Sequence, residues 1–265
     1  MAAEDVPLSW SHGWRRRTAA AALLGALLFG TGFFAAREFG RAHTQASTAP
    51  ASARPMAAAA SAPPLGPVAR ADFGAEKASA DAHQLANWVL QSADAQHRPF
   101  AILDKRQARL FVFRAGGRLQ ASAPVLLGSA HGDDSVPGIG TRKIADIRPE
   151  ERTTPSGRFV VEPGRNAQGE DILWVDYEAA VSMHRVRSLV KAERRLQRLA
   201  SATPADNRIS YGCINVPVDF YDTVLSPAFR GSHGVVYVLP ETRSLHAVFG
   251  PIERQSTLLA STRAN

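Results

Sequence analysis

The sequence predicts a mostly β domain with a few helices, preceded by a membrane-spanning segment and a disordered linker. Three observations carry this expectation. Short runs of β-branched and aromatic residues, broken by polar or glycine turns, recur between residues 98 and 240. Residues 18–36 are apolar and no charge interrupts them. Residues 37–74, between the two, are rich in Ala, Ser and Pro and poor in large apolar side chains.

Residues 1–17 form a short terminus ending in Arg15, Arg16 and Arg17. The run 18–36 that follows reaches about 28 Å as a helix, enough to cross a hydrocarbon core. The arginines keep the terminus in the cytoplasm and send the rest across, so a single-pass protein with its folded domain on the far side of the membrane is expected. Secretion after signal cleavage is the alternative. A signal peptide's apolar region is usually shorter, about 7–15 residues, and no clear small-x-small cleavage site follows the run before Arg37. An uncleaved anchor is therefore expected, followed by a linker at 37–74 that cannot bury enough surface to offset the entropy of ordering it.

Residues 75–97 begin the folded part. Leu85, Trp88, Val89 and Ser92 share one face at helical spacing, as in a helix laid on a core. Phe100 to Asp104 and Arg109 to Phe113 read as strands, with a third from Leu119 to Leu127 after the Ala115-Gly116-Gly117 turn. Two tight hairpins in about 30 residues indicate an antiparallel sheet. Residues 128–152 read as a long polar loop. Arg158 to Val161 and Ile172 to Tyr177 are further strands, and the chain then runs through Val181 to His184. Residues 188–202 read as a charged amphipathic helix, a solvated flank or lid. Val218 to Leu225 reads as another helix, Gly234 to Pro240 as the last strand, and residues 241–265 as a tail without pattern.

Composition narrows the function. An apolar fraction of 45% supports a sizeable core. The net charge of +7 favours anionic surfaces. Nucleic acid is the generic partner for such a charge, but no zinc spacing, RNA-binding aromatic box or recognition helix supports it. Asp133 and Asp134 lack further ligands, so no metal is expected, and nothing in the chain calls for a cofactor. Gly138-x-Gly140 has no helix after it to make a phosphate cradle. Oligomeric state is not legible.

Cys213 is the only cysteine, which excludes an intramolecular disulfide. It follows a glycine and precedes Pro217 and a helical pattern, which predicts a thiol just before a helix N-terminus, where thiolate is favoured. Attack by a thiol needs ionisation, a base, and donors for the oxyanion.

Ser210-Tyr211-Gly212-Cys213-Ile214-Asn215 resembles the Ser-His-Gly-Cys-x-Asn box of the L,D-transpeptidase (YkuD-type) catalytic domain family. Thr154-Pro155-Ser156-Gly157-Arg158-Phe159 is similar to that family's Thr-Pro-x-Gly-x-Phe motif, and Ser182-Met183-His184 falls where the family keeps its histidine. The resemblance covers residues 98–240. It implies a β-sandwich-like catalytic domain with its cleft between sheets, Cys213 as nucleophile and His184 as base. It also implies Ser210, Tyr211, Gly212 and Asn215 as oxyanion or substrate-binding groups. The implied reaction is acyl transfer on peptidoglycan stem peptides: Cys213 takes the acyl group and an amine receives it. Transfer to water, as an L,D-carboxypeptidase, and a non-catalytic peptidoglycan-binding envelope protein of the same fold are the alternatives. The order of His before Cys sets the chain apart from papain-like enzymes. Three features depart from the family: Tyr211 for a histidine, Arg185 after His184, and twenty-five residues between His184 and Ser210.

Overall fold

Phe100–Asp104 (β1) is buried at every position, and only Arg109 of Arg109–Phe113 (β2) is not. Continuous burial means that both faces of this sheet are covered. In the computed structural model, which describes residues 69–231 and 233–250, β1 and β2 pair antiparallel and β2 pairs with Leu119–Pro124 (β3). Pro124 ends that strand at the sheet edge, where its missing N–H costs no ladder bond. Leu127–Gly128 (β4) is a separate two-residue strand, so the expected single strand to Leu127 is broken in two.

Gly157–Val160 (β5), Glu162–Arg165 (β6), Asp171–Asp176 (β7), Val181–Arg185 (β8), Arg208–Ser210 (β9), Ile214–Val216 (β10) and Val235–Val238 (β11) complete the strands. One sheet has the order β3-β2-β1-β11-β5, a second β10-β8-β7-β6, and β4 pairs with β9. The pairs β1/β11 and β8/β10 are parallel. Leu103, Leu110, Val112 and Val238 of the first sheet share one core with Leu173, Met183, Ile214 and Val216 of the second. The two sheets therefore face each other across packed hydrocarbon.

The helix Ala80–Ser92 (α1) covers the other face of the five-stranded sheet. Ser79 caps its start by accepting from the Ala82 N–H at 3.1 Å, and Ala93 ends it in the left-handed region. Leu85 and Val89 pack there with Phe100, Ile102, Phe111, Phe113 and Tyr237.

Some expectations fall outside the described residues and others need correction. The spanning segment 18–36 and most of the linker lie outside the described residues. Among the described residues no helix is long and apolar enough to cross a membrane. The end of the linker is docked: the Asp72 N–H donates to the Gly117 carbonyl, the Asp72 carbonyl accepts from the Leu119 N–H, and Phe73 is buried against Phe111 and Phe113. The stretch after Glu241 holds a helix, Leu245–Phe249, whose Leu245 and Phe249 enter the second core. Residues 188–202 do not form one amphipathic helix. They hold a single turn at Lys191–Glu193 and a five-residue helix, Arg195–Leu199 (α2). Arg194, at φ 50°, breaks the pattern between them.

Candidate active site

Alternation along β8 sorts its side chains. Val181 and Met183 enter the core between the sheets, which leaves Ser182 and His184 on the opposite face. The parallel neighbour β10 places Asn215 level with His184 and Ile214 level with Met183. Cys213 thus comes one step before β10, beside Ser182, with its sulfur 3.7 Å from Ser182 Oγ and 3.6 Å from the Ala180 carbonyl oxygen. Cys213 as a residue is half-buried, and the groups nearest its sulfur are polar.

This corrects the expected setting of the thiol. A strand, and not a helix, follows Cys213. The helical run starts only at Val218, as Val218–Phe220, a π turn at Tyr221–Leu225 and Ser226–Phe229. The β-branched Ile214 and Val216 extend the β8 edge before Pro217 ends it. No helix dipole acts directly on the sulfur, so the thiolate depends on side chains and strand amides.

His184 supplies the main one. Its Nδ1 lies 2.8 Å from the Arg185 carbonyl oxygen, the backbone orientation for which no particular side chain is needed after the histidine. With Nδ1–H donating there, Nε2 is the nitrogen left to exchange a proton with Cys213. Burial alone would depress the His184 imidazole, but hydrogen bonding and charge from Cys213, together with the Arg185 carbonyl, outweigh it and hold it above its ordinary value. Burial would push the Cys213 thiol up. Hydrogen bonding and charge from His184, and the amide and hydroxyl of Ser182, outweigh that and hold it below its ordinary value. Each group favours the charged form of the other.

The box before Cys213 is a tight turn. Ser210 Oγ donates to the Cys213 carbonyl at 2.6 Å and accepts from the Gly212 N–H at 3.1 Å. Ser210 therefore fixes the turn, and the Gly212 N–H is engaged in it rather than open to an oxyanion. The N–H groups of Tyr211 and Cys213 make no main-chain bond among the described residues. Gly212 has φ +127°, and a Cβ there would stand 2.7 Å from the Thr153 carbonyl oxygen. Gly212→Ala is expected to lose about 1–3 kcal/mol of stability and to slow Cys213 alkylation, checked by thermal melting and iodoacetamide labelling. Thr154, fully buried, donates to the Gly212 carbonyl at 2.8 Å and accepts from the Gly128 N–H at 3.0 Å. This threonine holds the turn from behind.

Tyr211 is half-buried, and the Arg152 guanidinium sits over its ring at 4.1 Å. Arg152 in turn donates to the Ile147 carbonyl of the long loop at 3.1 Å. Asn215 is buried. Its Nδ2 lies 3.5 Å from His184 Nε2 and 3.4 Å from the Cys213 carbonyl, and its Oδ1 accepts from Arg195 Nη1 at 2.6 Å.

The structure thus brings Cys213, His184, Ser210, Tyr211, Gly212 and Asn215 together around one turn and one strand pair. Sequence reasoning did not single out Ser182, Thr154 or Arg195. Ser182 was findable, standing two residues before His184 and so on the same face of a strand. Thr154 was visible as the first residue of its motif. Arg195 looked like any other charge in a charged run. Asp133 pairs with buried Lys105 at 2.8 Å. Among the described residues no cluster of His, Cys, Asp and Glu is arranged to hold a metal ion.

Solved structures similar to this chain include L,D-transpeptidases. The catalytic domain of the E. faecium L,D-transpeptidase is 16% identical, with a TM-score of 0.32, over 54% of this chain and 98% of that one. The helical cell shape determining protein Pgp2 of Campylobacter jejuni is 13% identical, with a TM-score of 0.36, over 55% of this chain and 49% of that one. The L,D-transpeptidase from Mycobacterium smegmatis is 16% identical, with a TM-score of 0.30, over 54% of this chain and 58% of that one. No family model and no curated protein matches the chain.

Proposed function

We infer that the protein is a cysteine acyltransferase, an L,D-transpeptidase acting on peptidoglycan stem peptides, with Cys213 as nucleophile and His184 as general base and acid. One observation carries this reading: the parallel register of β10 on β8, which sets Cys213 at the entry to β10, beside the strand whose His184 is oriented by the Arg185 carbonyl. The site motifs and their order support the substrate class.

In the first half-reaction the Cys213 thiolate attacks the carbonyl before the terminal D-residue. An S–C bond forms, and the oxyanion is met by the Tyr211 and Cys213 N–H groups. Losing one such donor typically costs about 2.7–4 kcal/mol of barrier stabilisation. The C–N bond then breaks, and His184 gives its proton to the leaving amine. In the second half-reaction an acceptor amine attacks the thioester, passes its proton to His184, and releases Cys213 as thiolate. Residues 18–36 would anchor the domain to the inner membrane, with the linker letting it reach the wall layer.

The test is mass spectrometry of tetrapeptide-bearing muropeptides incubated with the full-length protein. Release of the terminal residue together with a cross-linked product supports the reading. Unchanged muropeptides, with no adduct on Cys213, reject it.

A further inference from the structure

Arg195 enters the site from the segment that lengthens the path between His184 and the cysteine box. Although it opens a helix on a charged stretch, its side chain is only 5% exposed. Arg195 Nε donates to Glu193 Oε2 at 2.5 Å, and Nη1 donates to Asn215 Oδ1 at 2.6 Å. Glu193 holds one edge of the guanidinium, so another edge is aimed at Asn215.

The chemistry of these groups fixes which way the amide faces. A guanidinium offers only donors, so it accepts no bond from an NH2. Turning the Asn215 amide over would set donor against donor in a buried place and leave its oxygen facing elsewhere. The nitrogen must therefore point away from Arg195. It stands 3.5 Å from His184 Nε2 and 3.4 Å from the Cys213 carbonyl.

We propose that Arg195 is a positioning residue that locks the Asn215 amide, so that Nδ2 is always presented to His184 and to the space beside the Cys213 thiol. The role rests on the reading of Cys213 and His184 as the reacting pair. It makes the 188–202 segment part of the site's framework and not a detached flank. Because Asn215 touches Nε2, the atom that exchanges the proton, its orientation bears on the protonation of the pair. A locked amide also stays a donor throughout the reaction, with no reorganisation as charge develops.

The test is the pH midpoint of Cys213 alkylation by iodoacetamide in the full-length protein. It is measured for the wild type, Arg195→Met, Asn215→Ala and the double variant. If Arg195 acts through Asn215, each single variant moves the midpoint by about one pH unit in the same direction. The double variant then moves no further than Asn215→Ala alone. Arg195→Lys, which keeps a donor to Oδ1, stays near the wild type. Additive shifts, or an Arg195→Met midpoint equal to the wild type, overturn the proposal. Should Arg195→Met fail to fold, Arg195→Lys decides the matter, since a shifted Arg195→Lys beside an unshifted Asn215→Ala also overturns it. A wild-type midpoint at the ordinary cysteine value defeats the nucleophile reading, while the comparison among variants still settles the part played by Arg195.

Discussion

For the acyltransferase proposed above, Cys213→Ser is expected to lower product formation by about 10⁴-fold or more, the scale seen when a covalent nucleophile is removed. A serine hydroxyl at this position has a far higher pKa than a thiol, and a histidine tuned to a thiolate does not ionise it. The fold should survive. The sulfur lies 3.7 Å from Ser182 Oγ and 3.6 Å from the Ala180 carbonyl oxygen, polar neighbours that a smaller hydroxyl also suits. Unfolding midpoints should therefore stay within the range of an ordinary surface change, about 0.5 kcal/mol. Loss of product with the melting curve preserved separates chemistry from structure. A variant that keeps more than about a tenth of the wild-type rate would show that Cys213 is not the acyl carrier.

The second large effect concerns stability. Lys105→Met should destabilise the protein by about 3–5 kcal/mol, the cost of removing one partner of a buried ion pair. For a domain of this size that lowers the melting temperature by about 10 °C. Lys105 is 1% exposed, and its ammonium makes three bonds, to the Gly132 carbonyl, Asp133 Oδ1 and the Thr154 carbonyl, at 2.5, 2.8 and 2.9 Å. Glu241 lies 3.6 Å away and is also paired with Arg208. Taking the ammonium away leaves two carboxylates close together in a dry place. The same ammonium holds Thr154, whose hydroxyl holds Gly212, so Cys213 alkylation should slow as well. Burial pushes the Asp133 and Glu241 carboxyls up. Lys105 and the Thr242 hydroxyl, with the amides of residues 241 and 243, overcome this for Asp133, and the Gly132 amide, Arg208 and Lys105 overcome it for Glu241. Both carboxyls end below their ordinary values, so their contribution is complete above about pH 4 and is lost as the pH falls through the folded values. The wild-type protein should accordingly lose stability in acid, and differential scanning calorimetry across pH 3–7 would show it.

Residues with strong local signals told most of the story. The apolar runs at 100–104, 109–113 and 235–238 are strands because they are covered on both faces, and such runs are legible without any partner in view. The order of His184 and Cys213 was legible too. The pairing that joins them was not, because β10 meets β8 across thirty intervening residues and a parallel register leaves no periodic mark. Strand β6, Glu162 to Arg165, has no β-forming residue. It pairs because Gly164 leaves room for the Trp174 ring, which a Cβ would approach to 2.6 Å. The misread flank at 188–202 has a similar cause. Its alternation of Leu and Arg looks amphipathic, yet Leu189 and Leu196 are 77% and 55% exposed while Arg195 is buried. A buried arginine is decided by the groups that meet it, here Asn215 and Glu193, and neither is a neighbour in the helical pattern.

The most direct measurement is the rate of Cys213 alkylation by iodoacetamide against pH, in the wild type and in His184→Gln. A wild-type midpoint well below the ordinary cysteine value of about 8.5, moved up toward it by His184→Gln, is the expected result. A wild-type midpoint at or above that value, unmoved by the substitution, would contradict it.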